Sequence, residues 1–145
     1  MTNYWLQASL SANITSGFTS TYTVPFNEVT VPTALATPVS RGISNTSGQV
    51  QLDAGKYMVS LYVAANYENA TSLPVTCQLV GDVSGVSPYF NVITNRAPAF
   101  GVQAFTALSG ILDVAEQQNY SMRLTNTDYL NALDRNTKMV FQRVQ

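Results

Sequence analysis

The stretch that decides the fold is residues 48–65, which read GQVQLDAGKYMVSLYVAA. Val50 and Leu52 alternate with glutamines, and this period of two is typical of a strand with one buried face. Residues 53–55 (Asp-Ala-Gly) are turn formers. The stretch therefore predicts a short strand, a tight turn and a long strand, paired as a hairpin.

The long strand has two unlike faces. Apolar side chains fill the first face, which predicts a core: Tyr57, Val59, Leu61 and Val63. The second face is only half polar, because Met58 and Tyr62 share it with Ser60. The core of one small domain does not need the apolar side chains of both faces. We therefore expect something outside the chain to cover Met58 and Tyr62.

The composition also favours a partner molecule. The 145 residues are enough for one domain, and 46% of them are hydrophobic. Only 10% are charged, against about 25% in an average soluble domain, so the free surface would be weakly solvated. The net charge is −1, and the seven Lys and Arg residues are spread along the chain. This pattern argues against binding to nucleic acid or to a membrane, which need a concentrated basic surface.

Histidine is absent and Cys77 is the only cysteine. The chain therefore lacks the commonest general base, the commonest metal ligand and any intrachain disulfide. Cys77 is in phase with Val75 and Leu79, a pattern that predicts a buried thiol rather than a reactive one.

The carboxylates do not form a known catalytic pattern. Four of them fall in or beside predicted turns: Asp53, Asp82, Asp113 and Glu116. Two of these would hold Ca²⁺ if they converged, but we interpret them as turn-forming, solvated residues. Asp128 and Asp134 would be the pair for glycoside hydrolysis, and no companion feature supports that chemistry. We expect no enzymatic activity, no metal and no cofactor.

Short extended segments fill the rest of the chain. Strands are predicted at residues 18–25, 29–31, 74–80, 89–93, 100–112, 120–125 and 138–144, with a bend or bulge at Ser109 and Gly110. Residues 127–137 are interpreted as a short helical turn or a long loop. Apolar spacing of three and four residues never persists for three turns, so long helices are not expected. The fold class is therefore all-β, an antiparallel sandwich or barrel.

The N-terminus carries Tyr4, Trp5 and Leu6 ahead of a polar stretch. Residues 1–17 form either a first strand or an arm that docks on a neighbour, and residues 18–145 form the β-sandwich domain. Trp5 is accordingly an edge of the core or an anchor in a partner's pocket. This end has no basic start and no apolar segment, so no signal peptide is expected.

The order and spacing of these elements resemble the C1q/TNF-like jelly roll. In that family a Gly-x-Tyr strand start follows a short apolar strand, as Gly55-Lys56-Tyr57 follows residues 50–52 here. Residues 74–81 (PVTCQLVG), 109–124 and 139–141 (MVF) are similar to its later strands. The resemblance covers residues 18–144. It implies an antiparallel jelly-roll sandwich that forms a trimer about a threefold axis.

A short, charge-poor jelly roll of this kind also resembles the head-decoration (cement) and spike proteins of bacteriophages. That resemblance implies a virion structural protein, made in the host cytoplasm and bound to the major capsid protein at the capsid surface. The candidate residues for the oligomer interface are Met58, Tyr62, Tyr89, Phe90 and Phe141. The candidate arm for capsid contact is Tyr4, Trp5 and Leu6.

A second interpretation makes the chain a receptor- or carbohydrate-binding module of a phage spike or fibre. That function would use an exposed aromatic platform, for which Tyr67, Tyr89 and Tyr129 are the candidates.

Overall fold

The computed structural model describes residues 4–30, 40–43, 48–67, 76–81, 90–93, 101–125, 127 and 130–144. Their strands are β1 (Tyr4–Ser9), β2 (Thr21–Thr23), β3 (Glu28–Thr30), β4 (Ser40–Ile43), β5 (Val50–Leu52), β6 (Gly55–Tyr67), β7 (Thr76–Gly81), β8 (Phe90–Ile93), β9 (Gly101–Val114), β10 (Gln118–Thr125), β11 (Leu130–Leu133) and β12 (Lys138–Arg143). The predicted all-β class is confirmed.

Two antiparallel sheets contain these strands. Sheet 1 is built around β6, which pairs with β9 over its whole length on one side. On its other side β6 pairs with β12 and, further along, with β11. β12 pairs in turn with β1, and β1 pairs with β3. Sheet 2 has the order β4-β5-β10-β7-β8, and β2 also pairs with β10.

The predicted hairpin between β5 and β6 is wrong. β5 belongs to sheet 2, where it pairs with β4 and β10, whereas β6 is the centre of sheet 1. Residues 53 and 54 therefore cross from one sheet to the other. The Tyr57 hydroxyl donates a 2.7 Å hydrogen bond to the Asp53 carbonyl, and Arg143 Nη2 donates one of 3.0 Å to the Ala54 carbonyl. These bonds hold the crossover against β6 and β12.

The core lies between the sheets and follows the predicted alternation. The four side chains of the first face of β6, Tyr57, Val59, Leu61 and Val63, are all fully buried. They face inward side chains of sheet 2, which include Val50, Leu52, Cys77, Leu79, Tyr120, Met122 and Leu124. Each large side chain buried in this way contributes about 1.5–3 kcal/mol.

Cys77 is buried, as its phase with the neighbouring apolar residues predicts. Burial raises the pKa of the thiol to about 12, because the low-dielectric core disfavours the thiolate. The thiol therefore stays protonated and unreactive at neutral pH.

The first strand of the chain is part of the sandwich. Of the two interpretations of residues 1–17, the strand is the one observed at Tyr4–Ser9, because β1 lies between β12 and β3. Leu6 is fully buried in the core. Further along, the polar loop after β1 is fixed to sheet 1 by a backbone bridge between Ile14 and Leu133.

Two irregularities in sheet 1 differ from the sequence prediction. Ser109 and Gly110 stay in register with β6, and the register shift falls where Leu61 pairs with Leu108 and Tyr62 with Thr106. The extra residue in β9 is therefore Ala107. Residues 130–133 form β11 rather than a helical turn or loop, because pairing with β6 lets this four-residue strand bury Leu130 and Leu133.

Gly48 lies just before β5, at a point where no side chain fits. Its φ is +68°, a conformation that L-residues rarely adopt. A Cβ atom at this position would lie 2.5 Å from the carbonyl oxygen of Val24 and closer still to the amide nitrogen of Phe26. Gly48 therefore packs directly on the backbone of residues 24–26.

Candidate functional site

The outward face of sheet 1 carries a continuous row of apolar and neutral side chains. Residues opposite each other in an antiparallel pair point to the same face. Met58 lies opposite Ile111 in β9 and opposite Gln142 in β12, and Gln142 lies opposite Trp5 in β1. Met58 is 45% exposed and Ile111 is 55% exposed. This row crosses four strands without a charged residue.

The next two rows extend this face along the strands. Val140 lies beside Ser60, and Tyr62 lies beside Lys138, all with half-buried side chains. The Lys138 ammonium nitrogen lies 5.6 Å from the centre of the Tyr62 ring, a cation–π contact. We name the five apolar residues of this face the sheet 1 patch: Trp5, Met58, Tyr62, Ile111 and Val140.

The described outward residues of sheet 2 are mostly polar, and half-buried Val80 is the apolar exception among them. Arg123 donates two hydrogen bonds, of 2.9 and 2.6 Å, from Nε and Nη2 to Oε1 of Gln78. In the adjacent row the hydroxyls of Thr76 and Thr125 are hydrogen-bonded to each other. Polar side chains of this kind are well solvated on a surface exposed to water. Exposed large hydrophobic side chains are therefore a feature of sheet 1, not of this part of sheet 2.

The structure separates the residues predicted for the oligomer interface. Met58 and Tyr62 belong to the sheet 1 patch. Phe141 does not: its side chain is fully buried, because it pairs with Val59 and so points into the core. Its ring centre lies 6.4 Å from that of Tyr120 in sheet 2. Phe141 is thus a core residue, and its assignment to the interface is wrong.

The assignment of the other two predicted interface residues, Tyr89 and Phe90, stays a prediction. Tyr89 lies outside the described residues. The backbone of Phe90 is in β8, which pairs with β7 at the edge of sheet 2, and its side chain is outside the described part of the chain.

The predicted capsid-contact arm is divided between the two faces of β1. Trp5 points outward and joins the sheet 1 patch, whereas Leu6 is buried opposite Phe141. Leu6 is therefore unavailable to a partner, and its assignment to a contact arm is wrong. For Tyr4 the structure describes the backbone, which pairs with Arg143.

Sequence reasoning missed Ile111 and Val140. Both lie in segments predicted to be strands, so the burial of the adjacent residues would have indicated that they point outward. Ile111 alternates with Leu112, and Val140 alternates with Met139; each neighbour is buried. Because side chains of a strand alternate, an inward Leu112 requires an outward Ile111.

The carboxylates considered for calcium do not cluster in the described part of the chain. Asp53 accepts a 2.6 Å hydrogen bond from Nε2 of Gln117, and Asp113 lies opposite Lys56 across β6 and β9. Among the described residues, no three acidic or cysteine side chains lie close enough together to hold a metal ion. Asp82 and Asp128 lie outside those residues. In the same described part, no helix is long and apolar enough to cross a membrane.

Comparison with solved structures identifies the arrangement of the two sheets. Murine APRIL matches with a TM-score of 0.69 and 13% identity, over 99% of this chain and 100% of that one. The fold is a TNF-like jelly roll. Eiger TNF from S. frugiperda matches this jelly roll with a TM-score of 0.66 and 11% identity, over 99% of this chain and 92% of that one. Pika GITRL matches with a TM-score of 0.57 and 13% identity, over 97% of this chain and 96% of that one.

The sequence itself does not match any known family profile or any curated protein. At identities of 11–13% the structural matches establish the jelly-roll fold alone. They confirm the fold that the order of motifs around Gly55 and Tyr57 resembles.

Proposed function

We propose that this jelly roll is a non-catalytic structural protein of a virion surface, a capsid decoration (cement) or spike protein that works as a homotrimer. The observation that carries the proposal is the sheet 1 patch. Five apolar side chains face outward there, in a chain of which only 10% of residues are charged. A second copy of the chain would remove this surface from water.

The patch has the composition of an interface centre. Trp5 and Tyr62 are aromatic anchors of the kind that dominate binding energy, and Met58 adapts its shape to a partner. Met58 and Ile111 are each about half exposed, so covering them contributes roughly 1 kcal/mol apiece. A stable interface buries about 800 Å² per partner, so neighbouring residues of sheet 1 must also take part.

A closed ring of subunits would cover the patch on every copy of the chain. Contacts that repeat by rotation close into a cyclic oligomer and leave no apolar surface at an open end. We propose three copies because the C1q/TNF-like jelly roll, which this chain resembles, packs around a threefold axis. Attachment to the major capsid protein would then be multivalent, because three weak contacts act together at high effective concentration.

Virion attachment is tested separately from oligomerisation. Peptide mass spectrometry of gradient-purified virions should detect the chain in fixed proportion to the major capsid protein. Added protein should also sediment with capsids assembled from the major capsid protein alone. If the chain is present in infected cells but missing from purified virions, and does not sediment with capsids, the virion role is wrong.

The second candidate function is a receptor- or carbohydrate-binding module of a phage spike or fibre. An open polar groove, lined by Ser9, Glu28, Arg135 and Lys138 at the end of sheet 1, favours it. The side chains of Tyr67, Tyr89 and Tyr129, the aromatic platform expected for this function, lie outside the described part of the chain. Loss of host-cell binding on substitution of those tyrosines would test the platform directly.

A further inference from the structure

An open groove of about 420 Å³ lies at the end of sheet 1, next to the patch. Its wall residues with polar side chains include Gln7, Ser9, Ser11, Glu28, Arg135 and Lys138. A second polar depression shares Ser11, Arg135 and Asn136 with the groove. The volume is within the range of sites that hold small molecules, about 300–1,000 Å³.

The groove exists because one small residue lies between two long ones. Ser9 of β1 is directly opposite Lys138 of β12 on one side and Glu28 of β3 on the other. All three side chains point outward from sheet 1. Their outer two strands are two strand spacings apart, about 10 Å. A cation and a carboxylate therefore stand on opposite walls, with a serine hydroxyl on the floor between them.

The end of the groove is held by hydrogen bonds between two loops. Asn27 Oδ1 accepts a bond from the Ser11 amide, and Asn27 Nδ2 donates one to the Ser11 hydroxyl, both of 2.9 Å. The Arg135 amide donates a 2.9 Å bond to Asn13 Oδ1, which ties the β11–β12 turn to the loop after β1. A site fixed in this way does not have to order its backbone when a ligand binds.

The turn that carries Arg135 has its own internal support. The Asn136 amide donates a 2.8 Å bond to Oδ1 of Asp134, and the Thr137 amide donates a 3.0 Å bond to the Asp134 carbonyl. Asp134 is thus engaged within the turn. Arg135 is exposed and lines the groove together with Lys138, whose ammonium also contacts the Tyr62 ring, so the groove has two cations.

We infer that this groove binds an acidic saccharide. The carboxylate of a uronic or sialic acid type of sugar is attracted by Arg135 and Lys138, and a guanidinium donates to a carboxylate in bidentate geometry. Hydroxyls on the other edge of the sugar ring donate to Glu28 and exchange hydrogen bonds with the serines on the floor. The inference names a ligand for the second candidate function and does not rest on the trimer or on virion attachment.

The same geometry disfavours other ligand classes. A polar wall gives an apolar ligand no surface to bury. A nucleic acid would bring several phosphates toward a groove whose far wall carries Glu28. The ammonium and carboxylate of a single amino acid are much closer together than the two charged walls.

Saturation-transfer NMR and calorimetric titration with glucuronic acid, N-acetylneuraminic acid and neutral glucose test the inference. An acidic sugar should bind with a Kd of about 1 mM or lower, and glucose at least roughly tenfold more weakly. Arg135→Ala should weaken the acidic sugar about tenfold, because it removes a charge-assisted hydrogen bond. Lys56→Ala makes the same charge change at an exposed site away from the groove and should leave binding unchanged.

Three results would overturn the inference: no binding of either acidic sugar, equal binding of glucose, or equal effects of Arg135→Ala and Lys56→Ala. Repeating the titration on an Ile111→Asp variant separates this inference from the oligomer proposal, because Ile111 lies in the row of Met58 and Gln142 and not in that of Lys138. Undiminished binding supports the groove whether or not the trimer proposal is right, and loss of binding would contradict a site that is complete in one chain.

Discussion

Met58 and Ile111 lie directly opposite each other across β6 and β9, and both point away from the core. Cross-strand neighbours of this kind normally support one another on a sheet surface. Here the two side chains are still 45% and 55% exposed, so their mutual contact leaves much of their apolar surface in water. They form the β6–β9 end of the sheet 1 patch, and Trp5 lies at the β1 end of the same row.

Replacing Tyr62 by aspartate should break the oligomer without unfolding the chain. Tyr62 is half-buried on the outward face and contacts Lys138 rather than the core. A charge at this position must be desolvated when a partner covers it, which costs several kcal/mol. Light scattering should report a monomer, and circular dichroism should keep its β-sheet signal. A variant that stays fully oligomeric would remove Tyr62 from the interface.

Substituting alanine for Phe141 should destabilise the fold by about 3–5 kcal/mol, because the truncation leaves a cavity between the two sheets. The effect would appear as a lower midpoint in urea unfolding with little change in slope. Val144→Ala, at a 48% exposed position next to the end of the same strand, is the control and should change stability by less than about 0.5 kcal/mol. Equal effects of the two substitutions would contradict the core position of Phe141.

Gly48→Ala should be far more damaging than Gly17→Ala. Both glycines have positive φ, +68° and +85°, so either alanine is strained by about 1–2 kcal/mol. A Cβ at Gly48 also meets the backbone of Val24 and Phe26, whereas a Cβ at Gly17 has nothing within 4 Å. We expect a total loss of about 2–5 kcal/mol for Gly48→Ala by thermal or urea unfolding. Similar losses for both variants would mean that residues 24–26 do not pack on Gly48.

Raising the pH above 9 should destabilise the protein through Cys77. The thiol has its pKa raised from 9.0 to about 12 in the folded chain, so the folded state holds this proton more tightly than the unfolded state does. The resulting stabilisation is complete below pH 9 and is lost as pH rises from 9 towards 12. Its slope is at most about 1.4 kcal/mol per pH unit.

Tyrosines contribute to the same alkaline range, so a variant is needed to isolate the thiol. Burial raises the pKa values of Tyr22 and Tyr57 above 10, which gives the same sign of pH dependence at higher pH. Cys77→Ala removes the thiol alone and should flatten the fall in unfolding free energy between pH 9 and 12. Identical pH profiles for the variant and the wild type would mean that the thiol is not buried as described.

The faces of β6 are predictable from sequence because strand alternation is a local property. Once Tyr57, Val59 and Leu61 are assigned to the core, Met58 must point the other way. Which strand pairs with which, however, is not determined by the local sequence. An apolar β5 followed by a turn and an apolar β6 fits a hairpin within one sheet as well as a crossover between two, since both bury the same faces.

The positions of Phe141 and β11 also depend on strand pairing, which the local sequence does not determine. An aromatic residue near a chain end is equally compatible with a core and with an interface, and only the register with Val59 places Phe141 inside. β11 is too short for its own pattern to indicate a strand, and its conformation depends on pairing with the far end of β6. The polar groove likewise depends on β1 lying between β12 and β3, so no local sequence motif predicts it.

The molar mass of the wild-type chain in solution, measured by light scattering over a dilution series, tests most directly whether copies of the chain cover the sheet 1 patch. A homotrimer of 15.7 kDa chains has a mass of about 47 kDa, three times that value, and should persist until the concentration falls below its dissociation constant. A mass of 15.7 kDa at every concentration, with the sheet 1 patch open to water, would contradict the proposal.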